Sequence, residues 1–94
     1  MDELFEWDPV KADTNLLKHG VSFEEAQSVF FDPASLIVPD PDDSISELRF
    51  IINGYSILSR QLIVIHTDRN DKIRIISARL ANRRERKLYE QEGR

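Results

Sequence analysis

The chain divides into two regimes of hydrophobic patterning. Up to about Phe31 the apolar residues recur at helical intervals, and from Glu47 to Ala78 they cluster into short runs rich in isoleucine and valine. Leu4 to Trp7 is a brief apolar run leading into Asp8-Pro9, an N-cap followed by proline at the first helical position. That pair predicts a helix over Pro9–His19, ended by Gly20, with Val10, Leu16 and Leu17 on its buried stripe. Ser22-Phe23-Glu24-Glu25 matches a capping box, and Val21 with Ala26 has the spacing of a hydrophobic staple. A second helix therefore opens at Ser22 and runs to Phe31, where Asp32-Pro33 stops it.

Leu36-Ile37-Val38 predicts a short strand, and the acidic stretch from Pro39 to Asp43 a mobile loop. Three longer strands follow, near Leu48–Ile52, Gln61–His66 and Lys72–Ala78. Turns at Asn53-Gly54 to Ser59 and at Asp68 to Asp71 make them an antiparallel meander. Asn82 with Glu85 is a further polar cap, opening a terminal helix to about Gln91. The expected fold class is α+β: one domain over residues 1–94, a small antiparallel β-sheet with helices packed on one face.

Composition narrows the function classes. There is no cysteine and there are two histidines, so neither a disulfide framework nor a closed zinc shell is available. The start of the chain lacks the basic and apolar regions of a secretory signal, and no apolar run approaches the roughly 20 residues of a membrane span. A cytoplasmic protein without membrane contact is the expectation.

The net charge of −4 conceals a segregation. Residues 1–48 hold 12 acidic and 2 basic side chains, and residues 49–94 hold 5 acidic and 11 basic. A cationic surface for an anionic ligand is compatible with this acidic chain, as is mutual neutralisation of the two halves.

Arginine suits phosphate because its planar fork donates two parallel hydrogen bonds. Arg49 and Arg60 lie near the starts of strands, Arg74 and Arg79 lie in IRIISAR, and Arg83, Arg84, Arg86 and Lys87 line the terminal helix. Arg74 and Arg79 are five apart, so a regular strand would point them to opposite faces, and a buried one would need a carboxylate partner, for which the many N-terminal acids are the candidates. Lys18-His19 supplies proton-transfer groups, although two basic residues in a last helical turn also complement the helix dipole. His66 on an apolar strand and Trp7 beside Asp8 read first as core residues, the indole having stacking on a base as its alternative role.

Three collinear segments carry a family likeness: FEWDPVKADTNLLKHGVSFEEAQSVF, ELRFIINGYS and RQLIVIHTDRNDKIRIISARLANRRERKLYE. Together they resemble the BrnT toxins of prokaryotic type II toxin–antitoxin systems, small ribonucleases with a RelE-like fold. The family positions Trp-Asp-Pro, Lys-His-Gly, strand Arg and Ile-Ser-Ala-Arg correspond here to Trp7, Asp8, Lys18, His19, Arg49, Ser77 and Arg79, and Glu85 and Tyr89 fit its terminal helix. Ser59 stands where the family commonly has glycine, and His66 where it commonly has an aromatic residue.

The resemblance implies metal-independent RNA cleavage that needs no cofactor and inhibits translation. It also implies a ribbon-helix-helix, BrnA-like antitoxin that neutralises the toxin in a heterotetramer binding operator DNA through the antitoxin. Under that reading Lys18, His19, Arg60 and Arg79 are the catalytic candidates, and Trp7, Arg49, Arg74, Arg83, Arg84 and Tyr89 contact RNA. The alternative is a non-catalytic module that binds RNA or antitoxin.

Overall fold

Local capping chemistry sets the helices of the computed structural model, which describes residues 3–41 and 47–92. Helix α1 (Pro9–His19) starts where the Asp8 carboxylate accepts from the Val10 N–H, and it ends at Gly20, whose φ of 70° only glycine adopts without cost. Helix α2 (Phe23–Ser28) starts where Ser22 Oγ accepts from the Glu25 N–H. It tightens into a 3-10 turn over Val29–Phe31, so the helical stretch to Phe31 is not α-helical throughout. Helix α3 (Arg83–Glu92) opens on a complete capping box: Asn82 Oδ1 accepts from the Glu85 N–H, and Glu85 Oε1 accepts from the Asn82 N–H.

The strands are β1 (Phe5–Glu6), β2 (Leu36–Pro39), β3 (Phe50–Tyr55), β4 (Gln61–Arg69) and β5 (Lys72–Leu80), in the sheet order β1-β5-β4-β3-β2. β3 to β5 form the expected antiparallel meander; β2 adds to it antiparallel to β3, and β1 joins the far edge parallel to β5. The β3–β4 turn falls later than Asn53-Gly54 suggests. Strand β3 continues through both residues to Tyr55, and Ser59, at φ 61°, takes the left-handed position near the end of the turn. Gly54 serves a different purpose: a Cβ there would meet Asp32 Oδ2 and Ser35 Cβ at 3.0 Å and Val29 Cγ1 at 3.1 Å. At the β4–β5 turn Asn70 and Asp71 have φ of 52° and 64°, as a two-residue hairpin requires. Of the acidic stretch expected to be a mobile loop, Asp42 and Asp43 lie outside the described residues.

One sheet face carries the core. Ile52, Leu62, Val64, Ile75 and Ala78 pack against Phe5, Val21, Phe23, Ala26 and Val29. α1 and α2 cover this face, whereas α3 lies on the opposite one. Asn53, whose side chain alternates with that of the core residue Ile52, donates to the Glu85 carbonyl in the first turn of α3.

The expected apolar stripe of α1 is not its buried face. Val10, Leu16 and Leu17 are 71%, 50% and 90% exposed, and the helix buries Asn15, with Ala12 packed against the core. The reason is the short β1, which pairs with β5 only at Ile73 and Arg74. Beyond that the β5 edge needs hydrogen-bonding partners. Asn15 provides them: its side chain accepts from the Ala78 N–H and donates to the Ala78 and Val21 carbonyls.

Candidate functional site

Strand phase decides where the arginines point. Ile65 pairs with Ser77 and His66 with Ile75, leaving Ile76 as the extra residue of a β-bulge. The bulge reverses the alternation, so Arg74 (opposite Thr67) and Arg79 (opposite Ile63) lie on the same face, the one carrying α3. Opposite faces, the expectation for a regular strand, do not apply.

Each strand arginine has a carboxylate. Arg74 meets Glu6 at 3.2 Å, and Arg49 lies 4.0 Å from Glu47. Arg79 donates to both oxygens of Glu85 at 2.8 Å, and the pairing raises the arginine pKa and lowers that of Glu85. The partner of Arg79 is thus six residues along the chain, in the capping box of α3, and not an N-terminal acid.

Arg60 projects to the other face. Its Nε and Nη2 donate to the Glu25 carboxylate, and Nη2 also reaches the Gly20 carbonyl at 3.0 Å. Glu25 is buried, and the Arg60 bond together with the Ser56 hydroxyl holds its pKa low against the opposing effect of burial. Arg60 and Arg79 therefore occupy the same end of the sheet, on neighbouring strands, but opposite faces.

The turn Lys18-His19-Gly20 is fixed from two sides. Arg60 holds the Gly20 carbonyl, and Asn15 bridges the Val21 carbonyl to Ala78, the residue before Arg79. Lys18 is exposed and His19 half-buried, and neither makes an ion pair among the described residues. The arrangement offers one ammonium without an ion pair among the described residues, and one imidazole, beside a hydrogen-bonded, arginine-bearing sheet end.

The proposed RNA contacts scatter more widely. Arg83 and Arg84 are exposed in the first turn of α3, without ion pairs among the described residues. Trp7 packs edge-on against Phe23 at 5.9 Å and belongs to the core margin. Tyr89 donates to Asp32 at 2.8 Å and meets the Tyr55 ring edge-on. Burial and the Asp32 carboxylate push its pKa up to about 12. The side chains that position these elements are Asn15, Glu25 and Asp32, and the sequence marks the last two only as a helix cap and a helix stop. The second role of Glu25, holding Arg60 and Ser56, has no local signal because both partners lie more than 30 residues away.

His66 is buried between Phe30 and Phe50, with ring centroids at 4.7 and 5.9 Å, and neither ring nitrogen has a hydrogen-bond partner among the described residues. Burial lowers its pKa despite the opposing charge of Asp68. An aromatic environment explains a position where aromatic side chains also fit.

Comparison with known proteins adds three findings. The family model described as the ribonuclease toxin BrnT of type II toxin–antitoxin systems matches residues 7–85. The crystal structure of the Brucella abortus ribonuclease toxin BrnT superposes with a TM-score of 0.65, covering 84% of this chain and 96% of that one at 23% sequence identity, a likeness of fold. No curated protein sequence matches the chain.

Proposed function

We propose, since the chain belongs to the BrnT family of ribonuclease toxins of type II toxin–antitoxin systems, that it cuts RNA by attack of a 2′-hydroxyl on the adjacent phosphorus, without a metal ion. The 2′-oxygen forms a bond to phosphorus, the bond to the 5′-oxygen breaks, and the products end in a 2′,3′-cyclic phosphate and a 5′-hydroxyl. Such a step needs a base for the 2′-proton, an acid for the leaving oxygen and donors for the charge on the phosphoryl oxygens. His19 and Lys18 are assigned the proton transfers and Arg79 the phosphoryl contact. Arg60, committed to Glu25 and Gly20, positions the Lys18-His19 turn, and its Nη1, which has no hydrogen bond among the described residues, is assigned to a phosphate.

The observation carrying this reading is the Asn15 bridge, which ties the exit of α1 to the backbone beside Arg79. Arg83 and Arg84 extend the cationic surface along α3, with Arg49, Arg74, Trp7 and Tyr89 as more remote contacts for RNA. Cleavage of cellular RNA would inhibit translation, and a ribbon-helix-helix antitoxin would neutralise the toxin in a heterotetramer that binds operator DNA.

The test is product chemistry. A synthetic RNA incubated with the purified protein in excess EDTA should yield cyclic-phosphate and 5′-hydroxyl ends by mass spectrometry. Ends of the opposite polarity, or cleavage abolished by EDTA, would reject the mechanism. The second reading, a non-catalytic binding module, draws on the carboxylate held by each strand arginine, and intact RNA under all conditions would favour it.

A further inference from the structure

Strand β2 pairs with β3 only as far as Leu36 opposite Asn53. Past that point no strand among the described residues lies beside β3, and the Asp32 carboxylate accepts from the Tyr55 N–H at 2.8 Å instead. An open pocket of about 460 Å³ forms there, lined by Ser28, Phe31, Asp32, Tyr55, Ser56 and Ile57.

Two aromatic rings open onto this one hollow, Phe31 being 67% exposed and Tyr55 43%. Each is backed by another ring: Phe31 meets Phe5 edge-on at 6.3 Å, and Tyr55 meets Tyr89 edge-on at 5.3 Å. Aromatic surface held in place around a shared hollow suits a flat ring system as its occupant.

The polar groups narrow the choice. Among the described residues lining the pocket, Asp32 alone carries a charge. Burial pushes its pKa up, but the N–H groups of Tyr55 and Ala34 and the Tyr89 hydroxyl outweigh burial and keep the carboxylate ionised. A phosphate would be repelled there, so the part of a nucleic acid that fits is the uncharged base. Those three donors leave the carboxylate acceptor capacity for an exocyclic amino group.

Across the β3–β4 turn the pocket adjoins Arg60. The Ser56 hydroxyl and Arg60 Nε donate to the same oxygen of Glu25, and the Ser56 N–H donates to the Arg60 carbonyl at 2.8 Å. The wall of the pocket and the guanidinium assigned to a phosphate thus share one carboxylate, which puts a base site beside a phosphate site.

We infer that this pocket holds one unstacked base of single-stranded RNA, resting on Phe31 and Tyr55, next to a phosphate at Arg60. The inference deepens the ribonuclease reading and rests on it for RNA as the ligand. It makes Phe31 and Tyr55 the residues that select where along a strand the cut falls. Duplex RNA, whose bases are stacked and paired, is excluded.

The test measures binding of a short, fluorescently labelled single-stranded RNA by anisotropy, with every 2′-oxygen methylated so that the proposed attack cannot occur. Phe31→Ala and Tyr55→Ala should each weaken binding about 5-fold to 150-fold, the range of one base–aromatic stack, and Phe31→Trp should restore it. Leu17→Ala, at another exposed apolar position, should bind as the wild type does, and thermal melting verifies that every variant folds. An abasic nucleotide moved along the oligomer should cause a similar loss at one position, where Phe31→Ala then costs nothing further. On cleavable RNA, Phe31→Ala should relax the sequence preference of the cut sites.

Wild-type affinity in both alanine variants would overturn the inference and leave the ribonuclease reading intact. So would a loss that persists undiminished with every abasic oligomer, because the rings would then act on the fold and not on a base. Variants that bind RNA normally but no longer bind the antitoxin would overturn it too, making the pocket a protein-docking surface. A wild-type chain that neither binds nor cuts RNA would remove the ribonuclease reading and the base site together.

Discussion

The Asn15 side chain bonds both backbone groups of Ala78, donating to the carbonyl at 2.8 Å and accepting from the N–H at 3.1 Å. It continues the sheet edge where β1 stops, doing with one amide what a further strand residue would do. Asn15→Ala would leave the Ala78 N–H and the Ala78 and Val21 carbonyls short of partners in a buried place. A loss of about 2–4 kcal/mol in urea unfolding is expected. Asn15→Asp keeps the acceptor but forfeits both donations, and should lose nearly as much.

The Arg60–Glu25 pair makes a second prediction. Glu25 is 5% exposed, so Arg60→Ala leaves a buried carboxylate without its counter-ion and with the Ser56 hydroxyl as its remaining side-chain donor among the described residues. Allowing for the exposure of Arg60 itself, about 2–3 kcal/mol should be lost. Exchanging both residues for methionine should cost less than Arg60→Ala alone, by equilibrium denaturation. Equal losses would show that the buried charge is not the cause.

Backbone conformation separates two turn-region residues. Gly54→Ala would force its Cβ against Asp32, Ser35 and Val29, at a cost of about 1–3 kcal/mol. Ser59→Gly, at φ 61°, should instead gain up to about 1 kcal/mol. Thermal midpoints moving in opposite directions would verify both.

His66 should make stability depend on mildly acidic pH. Its folded-state pKa lies below the ordinary 6.5 because burial disfavours the imidazolium. The unfolded chain then binds the proton more readily, so stability is full above pH 6.5 and declines as pH falls from there toward the folded-state pKa. His66→Phe, which suits the Phe30 and Phe50 environment, should flatten this part of the profile. A wild-type denaturation midpoint constant between pH 7 and 5 would contradict the assignment.

For the proposed chemistry, Arg79→Ala should lower turnover about 100-fold to 1000-fold if the guanidinium stabilises the phosphoryl charge, with the fold retained. Glu85→Gln probes the same contact from the other side. It loosens the two-bond pairing, so Arg79 is freer to bind phosphate and KM for RNA should fall. Cleavage rates unchanged by Arg79→Ala would remove this arginine from the mechanism.

Where structure depends on a few neighbouring residues, the chain announces it. Asp8-Pro9, Ser22 to Glu25 and Asn82 to Glu85 mark helix starts because a cap satisfies N–H groups two or three residues away. The isoleucine-rich runs likewise mark the meander, and the three collinear segments the family. Contacts between distant segments carried no such mark. The extra residue at Ile76 sits inside an unbroken apolar run, and only pairing with β4 shows that it turns Arg74 and Arg79 to one face. Nothing local marks Asn15 as the residue that meets β5, and the apolar residues expected to be buried in α1 are left to solvent. Carboxylates for Arg60 and Arg79 were numerous in the sequence, and the fold alone selected Glu25 and Glu85, because an ion pair is set by where two chains meet and not by their order.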